Sequence, residues 1–181
     1  MYLEQKQTEL GDPAFTMEPQ SEGEDVDISV PMEDPVTGLP TKPLAERAFT
    51  EAFTEGRTVH IACFVLDRFA AVLERFGDEA GAELLLYYGM HLAQAMTGRD
   101  QLFHWVGPSF VAILNRPENL DEARRSVASY GSTRLAKLLR LPTRTVLLPV
   151  TGTWTVFPLP EPDSSETLVR KIDSYVAFGS V

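Results

Sequence analysis

Nine consecutive residues, Thr58-Val59-His60-Ile61-Ala62-Cys63-Phe64-Val65-Leu66, contain no Gly, Pro, Asp, Glu, Lys or Arg. A continuous β-branched and aromatic run of this kind reads as a central strand, and the rest of the chain has to be arranged around it. Before it, Leu44, Ala48, Phe49, Ala52 and Phe53 recur at helical spacing across Pro43–Phe53, with Gly56 as the stop. After it, Phe69, Val72, Leu73 and Phe76 lie on one side of a short helix over Arg68–Phe76. A longer helix follows over Asp78–Met96 and ends near Gly98. Asp100–Trp105 and Ser109–Leu114 read as strands joined by a tight hairpin at Val106-Gly107-Pro108. A helix is expected over Glu118–Leu139, with Gly131 a weak point at which it could break. Strands follow over Arg144–Leu148 and Thr151–Phe157, divided by Pro149, and Ser164-Ser165-Glu166 opens a last helix running to about Phe178. A hairpin set among strand–helix crossovers predicts a mixed sheet with helices packed on it, an α+β domain.

Charge separates this domain from what precedes it. Residues 1–33 hold nine acids and one base, a net −8, which leaves −2 of the total −10 for residues 34–181. Pro13, Pro19, Pro31 and the cluster Glu22-Gly23-Glu24-Asp25-Val26-Asp27 give that stretch too little apolar surface to offset the entropy of ordering. Residues 1–33 are therefore expected to be a mostly disordered acidic tail, with room for a short helix over Tyr2–Leu10, and residues 34–181 the folded domain. The 44% apolar content supports a real core. No apolar run reaches the ~18 residues of a membrane span, and the first residues lack the basic-then-apolar layout of a secretory leader. The lone Cys63 lies inside the central run, as a core thiol in a reducing compartment would; a cytoplasmic location is expected. An acidic chain is poorly suited to nucleic-acid phosphates, which need clustered Lys and Arg.

Four segments at fixed spacing then narrow the reading. Asp34-Pro35-Val36-Thr37-Gly38-Leu39-Pro40 is followed by Val65-Leu66-Asp67-Arg68-Phe69, by Phe76-Gly77-Asp78-Glu79-Ala80-Gly81, and by Trp105-Val106-Gly107-Pro108-Ser109-Phe110. The series resembles the GGDEF domain of diguanylate cyclases over residues 34–180, most weakly over Leu141–Pro162. The resemblance implies a nucleotide-cyclase-like, ferredoxin-related fold. Leu39, Leu66, Phe69, Phe76, Gly81, Leu84, Leu85 and Phe110 match at packing or turn positions. Asp67 and Asp173 match acids whose roles are taken to be structural.

The resemblance also implies a set of ligand groups, and this chain departs from it at each. Magnesium requires hard carboxylate oxygens in near-octahedral order. The position of one metal-binding acid is Val65, and the acids of the signature turn are replaced by Pro108 and Ser109. The guanine-binding positions hold Leu73 and Ala82; each hydrogen bond missed in a buried pocket costs about 1–3 kcal/mol. The two phosphate-binding lysines correspond to Ala70 and Ser180, and the first glycine of the turn is Val106. Of the product-inhibition motif only Asp100 remains, with Arg99 displaced by two places, so the planar arginine contacts a cyclic dinucleotide needs are missing.

The rest of the sequence adds no chemistry. His60, His91 and His104 accompany no ligand at metal spacing and are expected to be ordinary strand or helix histidines, although His104 precedes the signature and could face the family's substrate cleft. Ser109 has no His and Asp set to make it a nucleophile. Arg124, Arg125, Arg134, Lys137, Arg140 and Arg144 read as a solvated face, or as a surface against which an acidic segment lies. The resulting expectation is a GGDEF-like domain without catalysis, metal or other cofactor, serving as a regulatory or protein-interaction module in bacterial signalling. Its partner would be another protein or a second copy, and nucleotide binding is not expected. The alternative is a non-catalytic sensor of GTP or cyclic di-GMP. What survives of the family's sites is Asp100 and the hairpin Val106, Gly107, Pro108, Ser109 and Phe110. The apolar side chains Val65, Ala70, Leu73 and Ala82 are expected to close the old pocket.

Overall fold

The structure, a computed structural model, describes residues 32–116, 119–159 and 164–179; the helix expected over Tyr2–Leu10, nearly all of the acidic tail, and Ser180 lie outside them. The central run forms β1 (Val59–Leu66), preceded by α1 (Lys42–Thr54). Alternation along β1 sends its side chains to two cores. Ala62, Phe64 and Leu66 face one cluster, completed by Leu84, Tyr88 and Leu92 of α2 (Phe69–Ala95) and by Ala123 and Val127 of α3 (Leu120–Gly131). Val59, Ile61 and Cys63 face the other, with Ala45 and Phe49 of α1 and Leu168 and Ile172 of α4 (Ser165–Phe178). A strand apolar at every position is thus used on both faces. Cys63 is fully buried, and that burial pushes its thiol pKa up.

β2 (Gln101–His104), β3 (Ser109–Leu114) and β6 (Gly152–Leu159) complete a four-stranded sheet in the order β2-β3-β1-β6. The chain order β1-α2-β2-β3-α3-β6 with this arrangement is the ferredoxin-like βαββαβ plan, so the α+β class and the ferredoxin-related topology expected from the sequence are those observed. All three ladders are antiparallel, whereas the crossovers had suggested a mixed sheet. The crossover helix α2 does join two parallel strands, β1 and β2, but β3 lies between them and pairs antiparallel with both. Parallel pairing is confined, among the described residues, to the isolated bridge between Thr41 and His104.

The expected pair of helices after β1 is present, with its break at Gly77, where φ is +83° inside α2. The helix expected over Glu118–Leu139 is not. It stops at Gly131, where a Cβ would lie 2.9 Å from Trp154 Cδ1 and 3.2 Å from Phe64 Cε1. Leu135–Arg140 is instead β4, paired antiparallel with β5 (Thr145–Val150) in a separate ribbon. Its Leu-Ala-Lys-Leu-Leu-Arg sequence favours a helix, but pairing and one-sided burial outweigh propensity. Pro149 sits within β5 opposite Ala136 and does not divide it; a proline is tolerated on an edge strand because no neighbour needs its missing N–H. No helix among the described residues is long and apolar enough to cross a membrane.

Candidate functional site at the hairpin end of the sheet

The β2–β3 hairpin closes over Trp105-Val106-Gly107-Pro108. Trp105 N–H donates to the Ser109 carbonyl and Ser109 N–H to the Val106 carbonyl, and Gly107 adopts φ +52° to complete the turn. The turn is pinned to the end of β1 by the Leu66 amide, which donates to the Pro108 carbonyl at 2.9 Å. Register then places Val65 directly opposite Ser109. Val65 therefore meets one of the two signature-turn positions, Pro108 and Ser109, where the resemblance implies acids. Valine supplies no oxygen, and the fully buried Ser109 hydroxyl donates to the Val106 carbonyl. Pro108 is half-buried and brings only the carbonyl already bound to Leu66. This donor set does not fit a magnesium ion.

Val65 packs with the α1–α4 cluster, and the side chains that follow lie on the α2 side of the sheet. Phe110 is fully buried, edge-on to Tyr88 at 5.8 Å. Leu73 lies across the Gly77 break against Gly81, where a Cβ would come within 2.3 Å of Leu73 Cδ2 and 3.4 Å of Phe69 Cζ. The matching glycine at 81 is thus required by packing. Val65, Leu73 and Ala82 are half-buried, while Ala70 and Val106 are exposed and close nothing.

Three polar connections hold this end together. The Asp34 carboxylate accepts the Val36 and Thr37 amides and the Thr37 hydroxyl, at 3.2, 2.7 and 2.8 Å, which builds the opening turn. Its other oxygen is 3.0 Å from His104 Nδ1, and His104 Nε2 is 2.8 Å from the Gly107 carbonyl. His104 is therefore a tie between opening motif and hairpin, not a ring aimed into a cleft. Burial raises the Asp34 pKa, but the Thr37 amide and hydroxyl, His104 and the Val36 amide outweigh it and hold the carboxyl below its ordinary 3.8. On the far side of the sheet, Trp105 Nε1 donates to Asp173 Oδ1 at 2.8 Å, and Lys42 Nζ reaches both Asp173 oxygens at 2.8 Å while standing 4.6 Å from the Trp105 ring centre. Asp67 accepts the Thr151 hydroxyl at 2.9 Å. Both matching acids are thus engaged within the fold.

Asp100 is at the other end of β3, away from the hairpin. One oxygen accepts the Asn115 amide at 2.9 Å. The other accepts the Thr97 amide and hydroxyl at 2.8 and 2.7 Å and Arg116 Nε and Nη2 at 3.0 and 2.6 Å. Burial would raise its pKa; Arg116 and Thr97 prevail and lower it. Arg116 was not singled out from the sequence, because nothing local marks a partner sixteen residues away. Among the described residues, no group of three or more His, Cys, Asp or Glu is placed to hold a metal ion.

The sequence matches the family described as "Diguanylate cyclase, GGDEF domain" over residues 32–177. Similar solved structures include the diguanylate cyclase SiaD of Pseudomonas aeruginosa in complex with its activator SiaC. That match has 22% identity and a TM-score of 0.64, and covers 81% of this chain but only 56% of SiaD. The GGDEF domain of YfiN (TpbB) from the same organism matches at 20% identity with a TM-score of 0.65, covering 80% of this chain and 86% of that one. The GGDEF domain of DgcB from Caulobacter crescentus, in complex with c-di-GMP, matches at 14% identity with a TM-score of 0.67, covering 81% and 88%. No curated protein matches the sequence.

Proposed function

This chain belongs to the GGDEF domain family, and we propose that it serves cyclic di-GMP signalling as a regulatory, protein-binding module without cyclase chemistry. The Val65–Ser109 pair carries this reading. Joining two GTP molecules requires neutralising triphosphate charge, and that is done by carboxylate-held magnesium and by cationic side chains. At the meeting point of β1 and the hairpin a valine faces a serine whose hydroxyl is already committed. Leu73 fills space beside Gly81 where the resemblance implies a guanine-binding asparagine. Asp100 would have to abandon five internal hydrogen bonds to grip a cyclic dinucleotide.

A fold kept for its shape can still be recognised by another protein, and the structure of SiaD bound to its activator offers a precedent for a GGDEF protein with a protein partner. Incubating the full chain with GTP and magnesium, then assaying for cyclic di-GMP, should yield no product above a no-enzyme control; steady turnover would refute the reading. Calorimetry with GTP and with cyclic di-GMP should give no heat of binding. Micromolar affinity for either would make the domain a nucleotide sensor instead.

A further inference from the structure

A cavity of about 200 Å³ opens between the first half of α2 and β5, floored by Leu66, Val72, Phe76, Leu84, Leu148 and Val150. It is smaller than the ~300–1,000 Å³ typical of small-molecule sites, and suits one or two branched aliphatic side chains. Arg68 and Arg75 line it with Ala71 and Asp67. Both arginines are exposed and neither forms an ion pair among the described residues; the Arg75 guanidinium rests 5.3 Å from the Phe76 ring centre. Asp67, the one acid there, is engaged by Thr151. Arg68 is also the only non-glycine among the described residues with positive φ, at +57°, a conformation that tends to mark functional positions. By contrast, Lys137 on the neighbouring ribbon, part of the basic face read from the sequence, is committed to Glu83 at 3.2 Å.

We propose that this cavity is the docking site of the chain's own segment Asp25-Val26-Asp27-Ile28-Ser29-Val30. The segment alternates branched aliphatic with acidic or polar residues, so an extended conformation presents Val26, Ile28 and Val30 on one side. Val26 and Ile28 seat on the apolar floor. Asp25 and Asp27 stay at the mouth, where guanidinium groups on long stems rise to meet them. Reach permits it. Asp34 touches His104, His104 touches Gly107, and the adjoining Pro108 carbonyl bonds to Leu66, which lines the cavity. The chain therefore enters the fold at the hairpin end of the sheet, where the Met32 carbonyl accepts the Thr41 amide at 3.1 Å; from Met32, Ile28 reaches up to ~14 Å and Val26 up to ~21 Å when extended. The proposal does not depend on the absence of cyclase chemistry.

Methyl NMR of the full chain tests it. Cross-relaxation is expected between the Ile28 methyls and those of Val72, Leu84 and Val150. R68E with R75E should erase it, and that variant and I28D, which removes the reporting methyls, should each shift those three resonances, leaving Leu168 and Ile172 on the opposite face unmoved as a check on folding. High salt should weaken the contact in the unmodified chain. Absence of cross-relaxation, or methyl shifts indifferent to I28D, overturns the proposal. So does contact found only between chains in a mixed labelled and unlabelled sample, which would assign the site to a second copy.

Discussion

The two ends of β3 hold the chain's two family remnants, and they treat charge in opposite ways. At the Ser109 end the pair where β1 meets the hairpin is uncharged, a serine hydroxyl turned inward and a valine facing it, and the carboxylates around it, Asp34, Asp67 and Asp173, are tied to His104, Thr151, and Lys42 with Trp105. At the Leu114 end a wholly buried carboxylate, Asp100, is retained with five donors around it. A buried carboxylate persists where the fold itself supplies the donors. Where the donors would have to come from a bound metal or nucleotide, a carboxylate left without them is a standing cost.

The largest expected effect breaks the charged end. Asp100→Ala takes the carboxylate away from the Arg116 guanidinium, which is only 11% exposed and keeps the Ser126 hydroxyl and the Ala95 carbonyl, and should cost about 3–5 kcal/mol in urea-induced unfolding, as for other split buried pairs. A loss below about 1 kcal/mol would mean that the contrast between the two ends is false. Next, Val65→Asp puts a carboxylate into the uncharged pair, opposite buried Ser109. It should destabilise by about 1–3 kcal/mol, and excess magnesium should not restore the loss; restoration by magnesium would reveal a metal geometry intact beneath the substitutions.

Asp34 should matter less. Asp34→Asn, measured at neutral pH, should cost about 1–2 kcal/mol through weakened bonds to Thr37 and His104. Because the folded pKa of Asp34 lies below its ordinary 3.8, its contribution is complete above that pH and is lost as pH falls through the folded value. The gap between parent and variant should therefore close in acid, and a gap that widened there would reverse the assigned sign. The smallest effect is expected at the hairpin tip, where Val106 is 52% exposed: Val106→Thr should change stability by no more than about 0.5 kcal/mol.

Much of the fold was legible because apolar periodicity reports burial directly. The β1 run, the helix break at Gly77 and the capped start of α4 at Ser164 all carry local signals. The β4–β5 ribbon was not legible, since Leu135–Arg140 is locally a good helix and becomes a strand only by pairing with Thr145–Val150. At the candidate site, the residues at 65, 108 and 109 were singled out by the resemblance, but the inward turn of the Ser109 hydroxyl could not be read. His104 looked like an ordinary strand histidine because Asp34, seventy residues earlier, gives no local sign of its approach.

The sequence alone determined which groups the domain can offer. A valine cannot become a carboxylate in any conformation, and a run without charge has to be buried. Tertiary structure decided which of the remaining polar groups are still available. Hydrogen-bond partners distant in sequence are chosen by packing, and that choice committed Asp100 to Arg116, Asp173 to Lys42 and Trp105, and His104 to Asp34 and Gly107.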